Sequence, residues 1–177
     1  MRLTLKLLLP IVFIVIISGC NNNEDTFDLL IFSEIQNSKV EEVERFVKKA
    51  DVFEEDKFTV QMHPVTYERL IVEIASHNGD LYLLDEELMS AAYDPIGLYP
   101  LDEALNEDWF LKTPREYKAL NPEEGIESVY AFPLGNQSNL LNSLGVQLEK
   151  PLVAIIPIYS GNKAFSIELL QYIIESN

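Results

Sequence analysis

Between Phe27 and Asp85 three short apolar runs alternate with two amphipathic stretches, and few folds accommodate that order. The first run, residues 27–35, centres on Leu29-Leu30-Ile31-Phe32. It is short and continuously apolar, as a strand covered on both faces must be. Asn37-Ser38 then starts a helix, with Ser38 and Glu41 spaced as a capping box. Val40, Val43, Phe46 and Val47 fall on one face of it, and Lys48-Lys49 complement the negative end of its dipole. Residues 58–63 alternate with period two, placing Phe58, Val60 and Met62 inward before Pro64 ends the strand. Thr66 is placed to cap a second helix with Tyr67, Leu70, Ile71, Ile74 and Ala75 on its buried side, closed by Asn78-Gly79. Leu81-Tyr82-Leu83-Leu84 forms a third buried strand ending at Asp85. A β-α-β-α-β order with near-continuous apolar strands predicts a parallel sheet with right-handed crossovers.

Residues 88–128 are less regular, being interrupted by Pro95, Gly97, Pro100, Pro114, Pro122 and Gly125. Short helices are expected at 101–106 and 114–119. A strand over 129–132 is expected to stop at Pro133, and helical turns over 138–144 to end at Gly145. A strand follows at 152–158. The last helix, 164–175, places Phe165, Leu169, Tyr172 and Ile173 on one face. The fold class expected is α/β: one domain, residues 27–177, with a three-layer, mostly parallel sheet and helices on both faces.

The first 19 residues follow other rules. Arg2 and Lys6 are their only charges, and an uncharged run from 7 to 17 is broken only by Pro10. Eleven helical residues span about 16 Å, against the roughly 30 Å of a bilayer core. That length suits the apolar region of an export signal. The run leads into Ile17-Ser18-Gly19-Cys20, which resembles the bacterial lipobox of an aliphatic residue, two small residues and cysteine. Residues 1–19 are then a lipoprotein signal peptide, and Cys20 carries a diacylglyceryl group. Its two acyl chains, at about 0.8 kcal/mol per buried CH₂, suffice for stable anchoring to the membrane. Cys20 is the only cysteine, which excludes an intrachain disulfide. Asn21-Asn22-Asn23-Glu24-Asp25-Thr26 is wholly polar, so residues 20–26 read as a lipidated tether.

Removing residues 1–19 leaves 11 basic and 29 acidic residues, a net charge of −18. Such a surface repels nucleic acid and anionic headgroups, so nucleic acid is not a partner. Catalytic chemistry has little to stand on. His63 ends a strand and His77 ends a helix, and both read as solvated or capping imidazoles. No Gly-x-Ser-x-Gly elbow occurs. Ser160-Gly161-Asn162-Lys163 lacks the remaining glycines of a phosphate loop and reads as a turn before a helix. Asp80, Asp85, Glu86 and Glu87 lack the spacing of a calcium loop and read as the solvated end of a strand. No catalytic residue, metal ligand or cofactor is expected. A ligand site in an open α/β sheet lies at the carboxyl ends of the parallel strands. The candidates there are Ser33 and Glu34 after the first strand, His63 after the second, and Asp85 and Glu86 after the third.

The element order also resembles an extracellular solute-binding lipoprotein of a bacterial uptake transporter, specifically one lobe of the type 2 class. The likeness rests on Phe27-Asp28-Leu29-Leu30-Ile31-Phe32 after the lipobox, and on Gly79-Asp80-Leu81-Tyr82-Leu83-Leu84-Asp85-Glu86. It extends to Gly97-Leu98-Tyr99-Pro100-Leu101-Asp102-Glu103, to Val129-Tyr130-Ala131-Phe132-Pro133-Leu134, and to the returning strand at Val153-Ala154-Ile155-Ile156-Pro157. Two-lobed binding proteins close on a ligand between lobes. Here residues 135–151 alone separate the hinge-like strand from its return, too few for a second lobe of about 100 residues. The resemblance therefore implies a non-enzymatic binding module completed by a protein partner or a homodimer. The alternatives are an accessory transport component that still loads a small molecule, and an envelope enzyme. Replacing Cys20 by Ala is expected to abolish palmitate incorporation and leave the chain unprocessed or released; firm membrane retention after signal cleavage contradicts the anchor.

Overall fold

A computed structural model describes residues 26–52, 57–121 and 125–175. The expected signal peptide, Cys20 and residues 21–25 of the expected tether lie outside the described residues. Five strands form one sheet in the order β2-β1-β3-β7-β6: β1 (Phe27–Phe32), β2 (Phe58–His63), β3 (Leu81–Asp85), β6 (Phe132–Leu134) and β7 (Leu152–Ile155). β1 pairs in parallel with β2 and β3, while β7 is antiparallel to both β3 and β6. Four strands thus share one direction and β7 opposes them.

Burial explains the sequence pattern. β1 and β3 are central and apolar on both faces, with Leu29, Leu30, Ile31, Phe32 and Leu81–Leu84 all excluded from water. β2 is an edge strand and buries only its inward side, Val60 foremost. Alternate residues of β1 and β3 feed two cores. Phe27, Leu29, Ile31, Leu81 and Leu83 pack beneath α1 (Val40–Lys49), α5 (Asn139–Leu144) and α6 (Lys163–Ile174). Leu30, Phe32, Tyr82 and Leu84 pack beneath α2 (Tyr67–Ala75) and α3 (Met89–Ala92). The two crossovers take opposite faces because β2 lies on one side of β1 and β3 on the other, as connections of the same hand require. The result is a mixed α/β, three-layer arrangement with a mostly parallel central sheet.

Several local expectations are corrected. No capping box forms at Ser38; a 3-10 turn, Asn37–Lys39, feeds α1, and Lys39 pairs with Glu42 at 2.8 Å. α2 turns Leu70 and Glu73 inward, while Ile71 and Val72 are each 53% exposed. Its end uses His77 in the left-handed region at φ 55°, ahead of Gly79 at φ 80°. Pro133 sits inside β6 and does not stop the strand; an edge strand can spare one ladder donor. The short helices expected at 101–106 and 114–119 are present as 3-10 turns, Asp102–Ala104 and Arg115–Tyr117, and between them lies an unforeseen α4 (Glu107–Lys112), which Asn106 caps through the Trp109 N–H at 2.9 Å. Lys118–Leu120 extends as β4 against β5 (Glu127–Val129), a hairpin the proline-broken stretch did not suggest.

Asp80 and Asp85 are buried, not solvated. The Asp80 carboxylate accepts from the Asp28 N–H at 2.9 Å, Ser160 Oγ at 2.6 Å and Asn162 Nδ2 at 3.1 Å. It joins the start of β1 to the turn between β7 and α6. Beside it, burial lifts the Asp28 carboxyl above its ordinary value; a hydrogen bond from Thr59 opposes the rise, and Asp80 and Glu73 add to it. The Tyr159 hydroxyl donates to the Asn78 carbonyl at 2.8 Å and lies 3.1 Å from the Tyr82 hydroxyl, closing the same end of the sheet.

Two substitutions test this end. A Cβ on Gly79 would sit 2.7 Å from Tyr82 Cε2 and 2.9 Å from Leu30 Cδ1, in addition to the strain of φ 80°. Gly79→Ala is expected to cost more than about 1 kcal/mol in urea unfolding. Asp80→Ala strips three donors of a charged acceptor and is expected to cost about 3 kcal/mol or more, with Asp80→Asn costing less. Near-wild-type stability of Asp80→Ala would discount the network.

Candidate functional site

The carboxyl ends of β1, β2 and β3 converge because the strands are parallel and in register, with Phe32 level with both His63 and Leu84. The five residues expected there behave differently from one another. Ser33 is buried, and its Oγ accepts the Ile35 N–H at 3.2 Å, tightening the turn that leaves β1. Its own N–H donates to the His63 carbonyl at 3.2 Å. Asp85 is buried and its Oδ1 accepts the Glu87 N–H at 3.0 Å, capping the 3-10 turn Glu86–Leu88. These two side chains therefore hold the chain's own turns. Glu34 and Glu86 are exposed.

His63 sits against the Phe32 ring, centroids 4.7 Å apart. Its Nε2 is buried with no hydrogen-bond partner among the described residues. Burial holds the imidazole below its ordinary value, Arg69 pushes it the same way, and Glu73 opposes them.

Lys150, from the segment between α5 and β7, completes the face. Its Nζ meets Glu87 Oε2 at 2.8 Å, and its ammonium is held above the ordinary lysine value by Glu87, with smaller contributions from Asp85 and Glu34. One cation thus stands among the acids that close β1 and β3. The Tyr67 hydroxyl donates to the Glu87 carbonyl at 2.6 Å. Glu86 bonds the buried Tyr117 phenol, whose pKa is pushed up to about 12, by burial first and by Glu86 next. Lys150, Tyr67 and Tyr117 were not foreseen. They come from three distant segments, and only the fold brings them to this end.

The resulting face is acidic at its rim, backed by turns whose polar groups are already bonded to one another. Among the described residues no group of three or more His, Cys, Asp or Glu could hold a metal. No helix of the described residues is long and apolar enough to cross a membrane.

A Bacillus subtilis (strain 168) protein named "Putative lipoprotein YteS" is 27% identical to this chain over 166 residues, covering 94% of this chain and 93% of that protein. No family model matches. The match, running nearly end to end in both chains, supports a bacterial lipoprotein.

The lowered His63 pKa has a consequence with a definite sign. As pH falls from about 7 towards 5, the unfolded chain takes up this proton before the folded one does, and stability is lost. His63→Gln is expected to lessen that loss, as read from urea midpoints at both pH values. An unchanged difference between the two midpoints would mean that the folded imidazole titrates normally.

Proposed function

We propose that the protein is a membrane-anchored, extracytoplasmic lipoprotein that works by binding and not by catalysis, its domain serving as a single lobe of the solute-binding type. The observation that carries this reading is the pairing of β6 and β7. A strand that would lead to a second lobe lies beside the antiparallel strand that would return from it. Only residues 135–151, including the short α5, join the two. A small ligand buried on most of its surface needs walls on several sides. Ser33 and Asp85 already bond the chain's own turns, Glu86 meets the Tyr117 phenol, and Glu34 is exposed.

That arrangement favours a protein partner over a captured solute. The rim of Glu34, Glu86 and Glu87 suits a basic surface on that partner, in keeping with the acidity of the whole domain. Anchoring confines the lobe near the membrane and raises its effective concentration for a membrane-bound protein.

A photo-crosslinking residue at position 34, in intact cells, is expected to trap one discrete partner, and the charge reversals Glu86→Lys and Glu87→Lys to reduce the adduct at least about tenfold. A thermal-shift screen supplies the opposing outcome, since a small molecule at 100 times its Kd adds about 2.7 kcal/mol. A large shift with one solute, together with no adduct, would replace this reading with solute capture.

A further inference from the structure

We propose that the end of the domain carrying the amino termini of β1 and β3 rests on the bilayer, with Ile96, Ile158 and Phe165 entering the headgroup boundary. The proposal rests on the lipid-anchor reading of Cys20 and adds an orientation to it. Seven residue steps from Cys20 to Phe27 span at most about 25 Å when fully extended. Phe27 begins β1, so that strand end cannot stray farther from the anchor.

The structure places an apolar surface beside that point. Asp80 bonds both the Asp28 N–H, one residue beyond Phe27, and the Ser160–Asn162 turn. Ile158 begins this turn and is 47% exposed; Phe165, in the first turn of α6 that follows, is 43% exposed. The Ile158 N–H donates to the Gly97 carbonyl at 2.9 Å, and Leu98 bridges to Pro157. This brings in Ile96, which is 85% exposed. Tyr159, next to Ile158, is turned inward, its hydroxyl bonded to Asn78 and its ring stacked on His77 at 4.6 Å, so the contact is left to the aliphatic side chains and Phe165.

Electrostatics agrees with a zwitterionic surface. Among the described residues at this end, Lys48, Lys49, Lys57 and Lys163 stand with Asp28, Asp51, Asp80 and Asp94. The end is therefore close to neutral, and apolar side chains carry the contact. The opposite end presents Glu34, Glu86 and Glu87 and would face away from the membrane, towards a partner.

The test uses the full lipidated protein, without substitution, in phosphatidylcholine vesicles containing a photoactivatable lipid. Adducts are expected in peptides 94–98 and 157–165. Adducts confined to residues 20–26, or found at 33–34, 85–87 and 149–150, would overturn the orientation while leaving the anchor intact. Failure of the protein to float with the vesicles would overturn the anchor reading and the orientation with it. Ile158→Asp and Phe165→Asp, both at exposed positions, are expected to cut labelling of 157–165 at least about fivefold while the protein still floats. Undiminished labelling would assign the adducts to the tether alone.

Discussion

The Asp80 carboxylate organises one end of the molecule. It is buried, and a buried charge is tolerable only when its lone pairs are taken. It reaches the Asp28 amide, Ser160 and Asn162, so three segments far apart in sequence are held by one side chain. Ser166 adds a bond from α6 to the Asp80 carbonyl at 3.1 Å. The start of β1, the start of β3 and the entry to α6 are consequently one rigid corner. Under the proposed anchoring through Cys20, that corner also determines which surface is nearest the membrane.

The other end of the sheet is built on a different plan. Its acids are exposed or engaged in capping turns, and Lys150 is the cation set among them. Asp85 shows how position decides role. In sequence it is one of several acids after an apolar strand; in the fold it closes a turn through the Glu87 amide. The polarity of the domain follows: a nearly neutral, partly apolar end at the start of β1, and an acidic end opposite.

The β-α-β-α-β core was legible because continuous apolar strands and amphipathic helices have different periods, and β1, β2 and β3 lie where those periods place them. The face of α2 was not legible. Its sequence, Tyr-Glu-Arg-Leu-Ile-Val-Glu-Ile-Ala, carries apolar residues nearly all round, so periodicity cannot choose a side. Glu73 can turn inward because Asn78 donates to it at 2.7 Å and Arg69 pairs with it. The β4–β5 hairpin was hidden for a related reason: strands of three residues offer too little alternation to read. Of the candidate site residues, the positions were legible from topology but the occupations of Ser33, Asp85 and His63 were not.

Sequence alone carried the resemblance of residues 1–20 to an export signal with a lipobox, the acidity, the α/β class and the brevity of the segment between β6 and β7. Each is a property of composition or of neighbours along the chain. Tertiary structure decided which acids are buried and which are exposed, that Lys150 stands among Glu34, Asp85 and Glu87, and that Ile96, Ile158 and Phe165 lie near the start of β1. Those depend on strand order and on which crossover takes which face, and contacts of that range are set by packing, not by local propensity.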